Sequence, residues 1–400
     1  MSTHTKPQPL GGPLWTPAFK VLAAIVGVSV LLMIWRFIAG LGATTGLSDG
    51  YPWGIWIAFD VVTGTALGCG GYAMAFLVYI FNKGDYHPLM RPAVLTSALG
   101  YTMAALAINI DVGRTPYIYK IPVFPAWWNL NSVLLEVALC VMAYVAILWL
   151  ELSPAFFETW EQAGSHPALK KLAGVLHPIV KKLMIPILAV GVLLPTMHQT
   201  SLGALMLLAG QKVHGLWQTP FAPLLFLISC VAMGYGVVAM ESTLATSVFK
   251  RPRETRLLAR MAVVPAWLVV VYLILRLGDI VLRGRMGLAF HANIQAFMFW
   301  VEMVLFIGGA AMLFSPKFKD TAKGQFQASM AVVLAGAVYR MDTYLVAYNP
   351  GKNWAYFPAV PELLITVGVV ALEIMAYLYI VKRYPILGGV AAAPNVRGAE

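Results

Sequence analysis

The sequence predicts an all-α polytopic membrane protein of about ten transmembrane helices, arranged as two four-helix bundles (helices 2–5 and 6–9) with helices 1 and 10 flanking them. Three observations lead there. Hydrophobic residues make up 60% of the 400 and charged residues only 11%, more apolar side chain than a soluble chain of this size can hide. The apolar residues gather into ten runs, each near or above the ~20 residues that cross a bilayer core. Lysine and arginine collect in alternate connections between those runs.

A Pro/Gly-rich tail over 1–18 leads into a first helix over Phe19–Leu41. That run is too long for a signal-peptide core and has no small-residue cleavage site, so it is expected to remain as an anchor. Helices then follow over Trp53–Phe81, Pro92–Val112, Ser132–Ala155, Ile179–Gln199, Phe221–Phe249, Arg260–Leu282, Gln295–Ser315, Phe326–Tyr348 and Glu362–Tyr384, with a second tail over 385–400. The membrane domain is therefore 19–384, with bundle one over about 53–200 and bundle two over about 221–348.

The tails and the 2–3, 4–5, 6–7 and 8–9 connections, with adjoining helix ends, hold 19 of the 28 Lys and Arg residues, among them Lys170, Lys171, Lys250, Arg251 and Arg253. The positive-inside rule puts both termini in the cytoplasm and turns the Trp-, Tyr- and Pro-rich loops outward. The net charge of +11 thus reads as topology and anionic-lipid contact. No Lys/Arg stripe with interleaved aromatics supports nucleic-acid binding.

A weak internal repeat underlies the two-bundle expectation. DVGR (Asp111–Arg114) closes helix 3 and RLGD (Arg276–Asp279) closes helix 7, while helices 4 and 8 open with Glu136 and Glu302. Four helices separate the matching elements, so the halves share one orientation.

The stretch LLPTMHQTSLG (Leu193–Gly203) carries the strongest functional signal. Pro195 breaks an apolar run and frees a backbone carbonyl, and His198, Gln199, Thr200 and Ser201 follow at once. One reading is a helix end in the headgroup region; the other is a polar pocket just under the outer membrane face, lined by His198. Ionisable groups predicted at similar depth favour the pocket: Asp60, Asp111, Glu136, Arg276, Asp279, Glu302, Arg340 and Asp342. Asp111 with Arg114, and Arg276 with Asp279, are spaced to neutralise each other at i,i+3. Asp60 and Glu136 have no basic neighbour at helical spacing and need water, a proton or a partner helix.

Glu241 lies toward the cytoplasmic end of helix 6, either as a snorkelling carboxylate or as a proton-entry group, and Tyr101 lies near mid-depth on helix 3, for packing or relay. Gly64 and Gly68 form a GxxxG that favours close helix packing, with room for a flat ligand as the lesser reading. Cys69, Cys140 and Cys230 are scattered singly, which argues against disulfides and cysteine-ligated metal. Of the seven histidines only His198 is well placed in the bundle, so no haem and no metal site are expected.

Seven segments taken together resemble one known family. They are YPWGIWIAFD (Tyr51–Asp60), GCGGYA (Gly68–Ala73), NKGDYHPLMRPA (Asn82–Ala93), IDVGR (Ile110–Arg114), NLNSVLLE (Asn129–Glu136), LLPTMHQTSLG and YNPGKNWAYFP (Tyr348–Pro358). The chain resembles the NrfD/PsrC family of membrane quinone-reactive subunits. Within that family it is most similar to the HybB type, the integral membrane subunits of periplasm-facing [NiFe]-hydrogenases.

The resemblance implies a ten-helix subunit without haem or iron–sulfur clusters of its own. It implies docking on the outer face by a ferredoxin-like iron–sulfur subunit, joined to the hydrogenase small and large subunits. Electrons would pass to menaquinone or ubiquinone. The quinone pocket would be lined by Asp60, Glu136 and His198, with Asp111, Arg114 and Gln199 nearby, and Tyr101 and Glu241 would resemble proton-transfer positions. A second LPTMHQ-like segment is missing from helices 6–9, so one quinone site is expected, in bundle one.

Reducing a quinone to a quinol takes two electrons and two protons, and His with a buried carboxyl suits the proton supply. Glu241, Tyr101 and Glu136 form the expected relay from the cytoplasm. The same fold serving a polysulfide or nitrite reductase, or a secondary transporter, are the alternatives. The single Pro-plus-polar break toward one face speaks against the transporter.

Overall fold

The computed structural model describes residues 7–162, 166–251 and 254–388. His4, Arg253 and the outer parts of both predicted tails lie outside the described residues. Ten long helices carry the fold: α1 (Pro17–Ala39), α2 (Trp56–Ile80), α3 (Met90–Asp111), α4 (Val133–Trp160), α5 (Pro167–Ala209), α6 (Ala222–Val248), α7 (Val263–Leu282), α8 (Ile294–Phe314), α9 (Ala322–Met341) and α10 (Val360–Arg383). Among the described residues, nine of them are long and apolar enough to cross a membrane; α9 is less apolar, because Lys323, Gln325, Gln327 and Arg340 interrupt it.

The ends follow local chemistry. Thr16 caps α1, its Oγ1 accepting from Phe19 N at 3.3 Å, with proline at the first helical position and Gly40 (φ 84°) beyond the last. Ser132 and Asn293 cap α4 and α8 in the same way. Helix α2 is wound as π-helix over Trp56–Thr63 and again over Phe76–Ile80.

Helix α5 departs most from expectation. It runs unbroken for 43 residues through Pro178, Pro186 and Pro195, instead of ending at Gln199. The polar residues after Pro195 turn back onto the helix. Thr196 Oγ1 donates to Val192 O (2.8 Å), Thr200 Oγ1 to Thr196 O (2.9 Å) and Ser201 Oγ to Met197 O (2.9 Å). His198 therefore lies eleven residues before the helix end, about 16 Å along it at 1.5 Å per residue, within the helix and not at its end. Glu302 is likewise displaced from the expected helix start, sitting mid-way along α8 and fully buried.

Both described ends of the chain lie on one face. Leu10 N donates to Val381 O (3.1 Å), and Arg91, at the start of α3, pairs with Glu158 of α4 (2.5 Å) while donating to Pro385 O (2.9 Å). This is called the terminal face. On the opposite loop face the connections knit together: His214 N donates to Ala347 O (2.8 Å), Asn349 N to Lys212 O (2.7 Å), and the Tyr51 hydroxyl to Tyr348 O (3.0 Å). The Tyr356 hydroxyl accepts from Ile55 N (2.7 Å) and donates to Glu362 (2.9 Å). Burial and the Glu362 carboxylate push that hydroxyl up, so it stays a donor.

Helix α4 lies along α5 and α3, α9 along α6 and α8, and α1 along α10, while α2 packs on α3, α6 and α9. Contact between α2 and α6 requires Gly234, where a Cβ would lie 2.5 Å from Cys69 O.

Candidate functional site

A chain of polar side chains crosses the middle of the molecule, joining α2, α3, α5, α6 and α9, all of them buried. Arg340 of α9 donates to Gln199 Oε1 (3.0 Å), Ser229 Oγ (2.8 Å) and Phe226 O (2.8 Å), with its guanidinium over the Phe226 ring. Among the described residues it has no carboxylate partner. A guanidinium only donates, so Gln199 must turn its oxygen toward Arg340. The amide nitrogen then faces Thr65 Oγ1 (3.1 Å) and His198 Nε2 (3.0 Å).

On the other side of the ring, His198 Nδ1 lies 3.1 Å from Leu194 O, which only accepts, so Nδ1 carries the proton. Nε2 is left as the lone-pair acceptor, and the Tyr101 hydroxyl donates to it at 2.9 Å. Cys69 Sγ sits 3.5 Å from the same hydroxyl. One arginine thus fixes an amide, the amide helps to fix a tautomer, and the tautomer presents a single basic nitrogen to a tyrosine.

The expected pocket divides. His198, Gln199 and Tyr101 come together, but as an enclosed cluster, because α5 continues past them and both ring nitrogens are engaged. Asp60 faces away toward α10, accepting from Thr366 Oγ1 (2.8 Å). Asp111 ends α3 within electrostatic reach of Arg36 and Glu362; it forms no ion pair with Arg114, which is exposed past the helix end. Glu136 is half-buried in the first turn of α4, on the side that continues through Cys140 to Tyr144, whose ring is 4.5 Å from that of Tyr101. Glu241 accepts from Thr96 Oγ1 (2.9 Å) and the Tyr377 hydroxyl (2.7 Å) on the terminal-face side; among the described residues no hydrogen bond joins it to Tyr101.

Sequence reasoning placed Arg340 at the depth of the pocket but not as a partner of Gln199, and missed Ser229 and Thr65. A signal for Arg340 existed: no acid lies three or four residues from it, and Asp342, two residues on, points elsewhere.

A second buried cluster is separate. Arg276 pairs with Glu302 (Nε–Oε1 3.2 Å), not with Asp279, because the side chain turns inward to α8; Asp279 pairs with Arg283 instead (2.5 Å). The Tyr272 hydroxyl (2.8 Å) and Trp217 Nε1 (3.2 Å) also donate to Glu302.

Comparison with known proteins places this helical architecture. The family model described as polysulphide reductase, NrfD, matches residues 43–351. The chain belongs to the NrfD family. This NrfD protein is 39% identical over 387 residues to the probable Ni/Fe-hydrogenase 2 b-type cytochrome subunit of Escherichia coli (strain K12), covering 95% of each chain. It is 34% identical over 392 residues to a protein of Nitratidesulfovibrio vulgaris, covering 94% of this chain and 95% of the relative. It is also 27% identical over 358 residues to the menaquinone reductase, integral membrane subunit, of the same organism, covering 83% of this chain and 82% of the relative.

The name of the first relative includes a b-type cytochrome, yet His198 and His177, the two histidines within α5, do not fit a bis-histidine haem site between them. Nε2 of His198 is occupied by Tyr101 and Gln199, and His177, the other histidine of α5 within the described helix, lies 21 residues away, about 32 Å along it. The purified chain is expected to show no Soret band; a stoichiometric b-type spectrum would overturn that expectation.

Proposed function

We infer that this NrfD protein is the membrane anchor and quinone-reactive subunit of a respiratory [NiFe]-hydrogenase. It passes electrons from a partner iron–sulfur subunit to membrane menaquinone or ubiquinone. The observation that carries the reading is the Tyr101–His198–Gln199–Arg340 chain: a proton-bearing pair with fixed donor direction, set in an otherwise apolar helix interior. A quinone carbonyl only accepts, so it takes the Tyr101 hydroxyl as donor in place of Nε2, or bonds to His198 once Nε2 has gained a proton. Tyr101 and His198 then supply protons to the quinone oxygens, and Arg340 and Gln199 hold them in place. The two electrons come from the partner.

The relatives support the class, since one is named for a hydrogenase and another for menaquinone reduction. The distribution of Lys and Arg supports both termini lying in the cytoplasm of a bacterial inner membrane. The loop face carries Trp127 (87% exposed), Leu130 (85%) and Phe357 (83%), an apolar surface suited to a docked ferredoxin-like subunit, with the hydrogenase small and large subunits beyond it.

The test is to purify the complex through a tag on this chain, identify its partners by mass spectrometry, and assay quinone reduction against reduction of a soluble dye. Arg340→Lys keeps the cation but loses the planar fork that reaches Gln199, Ser229 and Phe226 O together. Losing a charge-assisted hydrogen bond costs about 1.5–3 kcal/mol, so quinone reduction should fall roughly ten- to a hundred-fold with dye reduction unchanged. A complex that reduces dye but no quinone in its parental form would sink the reading.

A further inference from the structure

One side of α10 carries groups that this reading leaves unused. Thr366, Glu373 and Tyr377 are spaced seven and four residues apart and share that side. Thr366 holds Asp60 of α2, and Tyr377 holds Glu241 of α6, as described. Glu373 lies between them, within electrostatic reach of both carboxyls, and has no hydrogen-bond partner among the described residues. Arg251, near Glu241, is the cation at one end of the row. Three carboxyls with one cation at the end are a set that holds and passes protons, not an ion-pair network.

The backbone around Glu373 is opened for it. A Cβ at Gly100 of α3 would lie 3.5 Å from Glu373 Oε1, 3.4 Å from Gly68 Cα and 3.7 Å from Gly64 O. The GxxxG of α2 and this third glycine thus form a notch facing the carboxyl. Gly64 is one turn from Asp60 along α2, and Gly100 one turn from Thr96, the partner of Glu241, along α3. From the row a cleft of about 290 Å³ opens between α3, α6 and α10, with Thr96, Glu241, Glu373 and Tyr377 among its lining residues.

We propose that Glu373 is the mid-membrane station of a proton route that enters at this cleft, passes Glu241 and continues to Asp60. The step is proton transfer alone. The Glu373 carboxyl gives its proton through water in the glycine notch to the Asp60 carboxylate, and takes another from Glu241. Only O–H bonds form and break, and no electron moves. The route rests on the quinone reading for its purpose and runs on the α10 side, apart from Tyr101 and Glu136.

The test uses the intact complex in proteoliposomes. Glu373→Gln should lower quinone reduction at least ten-fold and remove the membrane potential built during turnover, with dye reduction unchanged; Glu373→Asp should restore at least half of both. The hydrophobic carbodiimide DCCD, which reacts with protonated carboxyls from the membrane side, should leave an adduct on Glu373 in the parental complex. Parental turnover and potential in Glu373→Gln, alongside lost turnover in His198→Ala, would overturn the route and leave the quinone reading standing. If His198→Ala keeps parental turnover, the quinone reading at that residue fails instead. Should Glu373→Gln not assemble, the parental complex decides: no DCCD adduct on Glu373 overturns the route.

Discussion

His198→Ala is expected to reduce quinone-dependent turnover of the assembled complex by about a hundred-fold or more, the usual scale of a lost general acid–base group, while dye reduction survives. On the proposed reading the dye takes electrons before they reach this chain. The substitution also strips the Tyr101 hydroxyl and the Gln199 amide of a shared acceptor at 2.9 and 3.0 Å, so the protein must repack a small buried polar void. His198→Gln separates the two effects, because it returns an acceptor without a titrating ring. If His198→Gln turns over like the parent, the imidazole is a structural acceptor and its proton chemistry is irrelevant.

Glu302→Ala should be the most damaging substitution for stability. It leaves the Arg276 guanidinium fully buried without its counter-charge and removes the acceptor of both Tyr272 and Trp217. Breaking a buried pair from one side costs about 3–5 kcal/mol. The expected result is a sharp fall in yield and in the melting temperature of the detergent-solubilised chain. Replacing both members, Arg276→Met with Glu302→Leu, should recover part of the loss, since no orphan charge remains. A Glu302→Ala chain that melts with the parent would show that water already satisfies Arg276.

Apolar run length makes nearly every helix legible, because crossing a bilayer constrains length and composition more strongly than any tertiary contact. The start and end of α6, α8 and α10 fall within two residues of expectation for that reason. Helix α5 escapes this logic because proline does not act as a stop there. In a membrane a proline's freed carbonyl can be tolerated within the helix, and the hydroxyls that look like a polar loop are bonded to the helix itself. His198, Gln199 and Tyr101 are legible as polar groups out of place in apolar runs. Their connection to Arg340 is not, since 141 residues separate Gln199 from it. The i,i+3 pairs fail for a related reason: local spacing ranks partners along one helix, whereas Arg276 finds its partner on α8 and Asp111 lies within electrostatic reach of Arg36 on α1.

The length of α5 has a mechanical consequence. Forty-three residues span about 65 Å, roughly twice the thickness of the bilayer's hydrocarbon. Such a beam protrudes from the membrane, with Lys170, Lys171, Lys181 and Lys182 along its protruding part. Prolines at 178, 186 and 195 each omit one rung of the backbone ladder, at intervals of eight and nine residues. The beam is therefore notched at regular distances and bends more easily at those points than between them. A force on its protruding end, from a bound protein or from charged lipid headgroups, would travel along the stiff segments and turn into rotation at the notches. The last notch lies three residues before the imidazole.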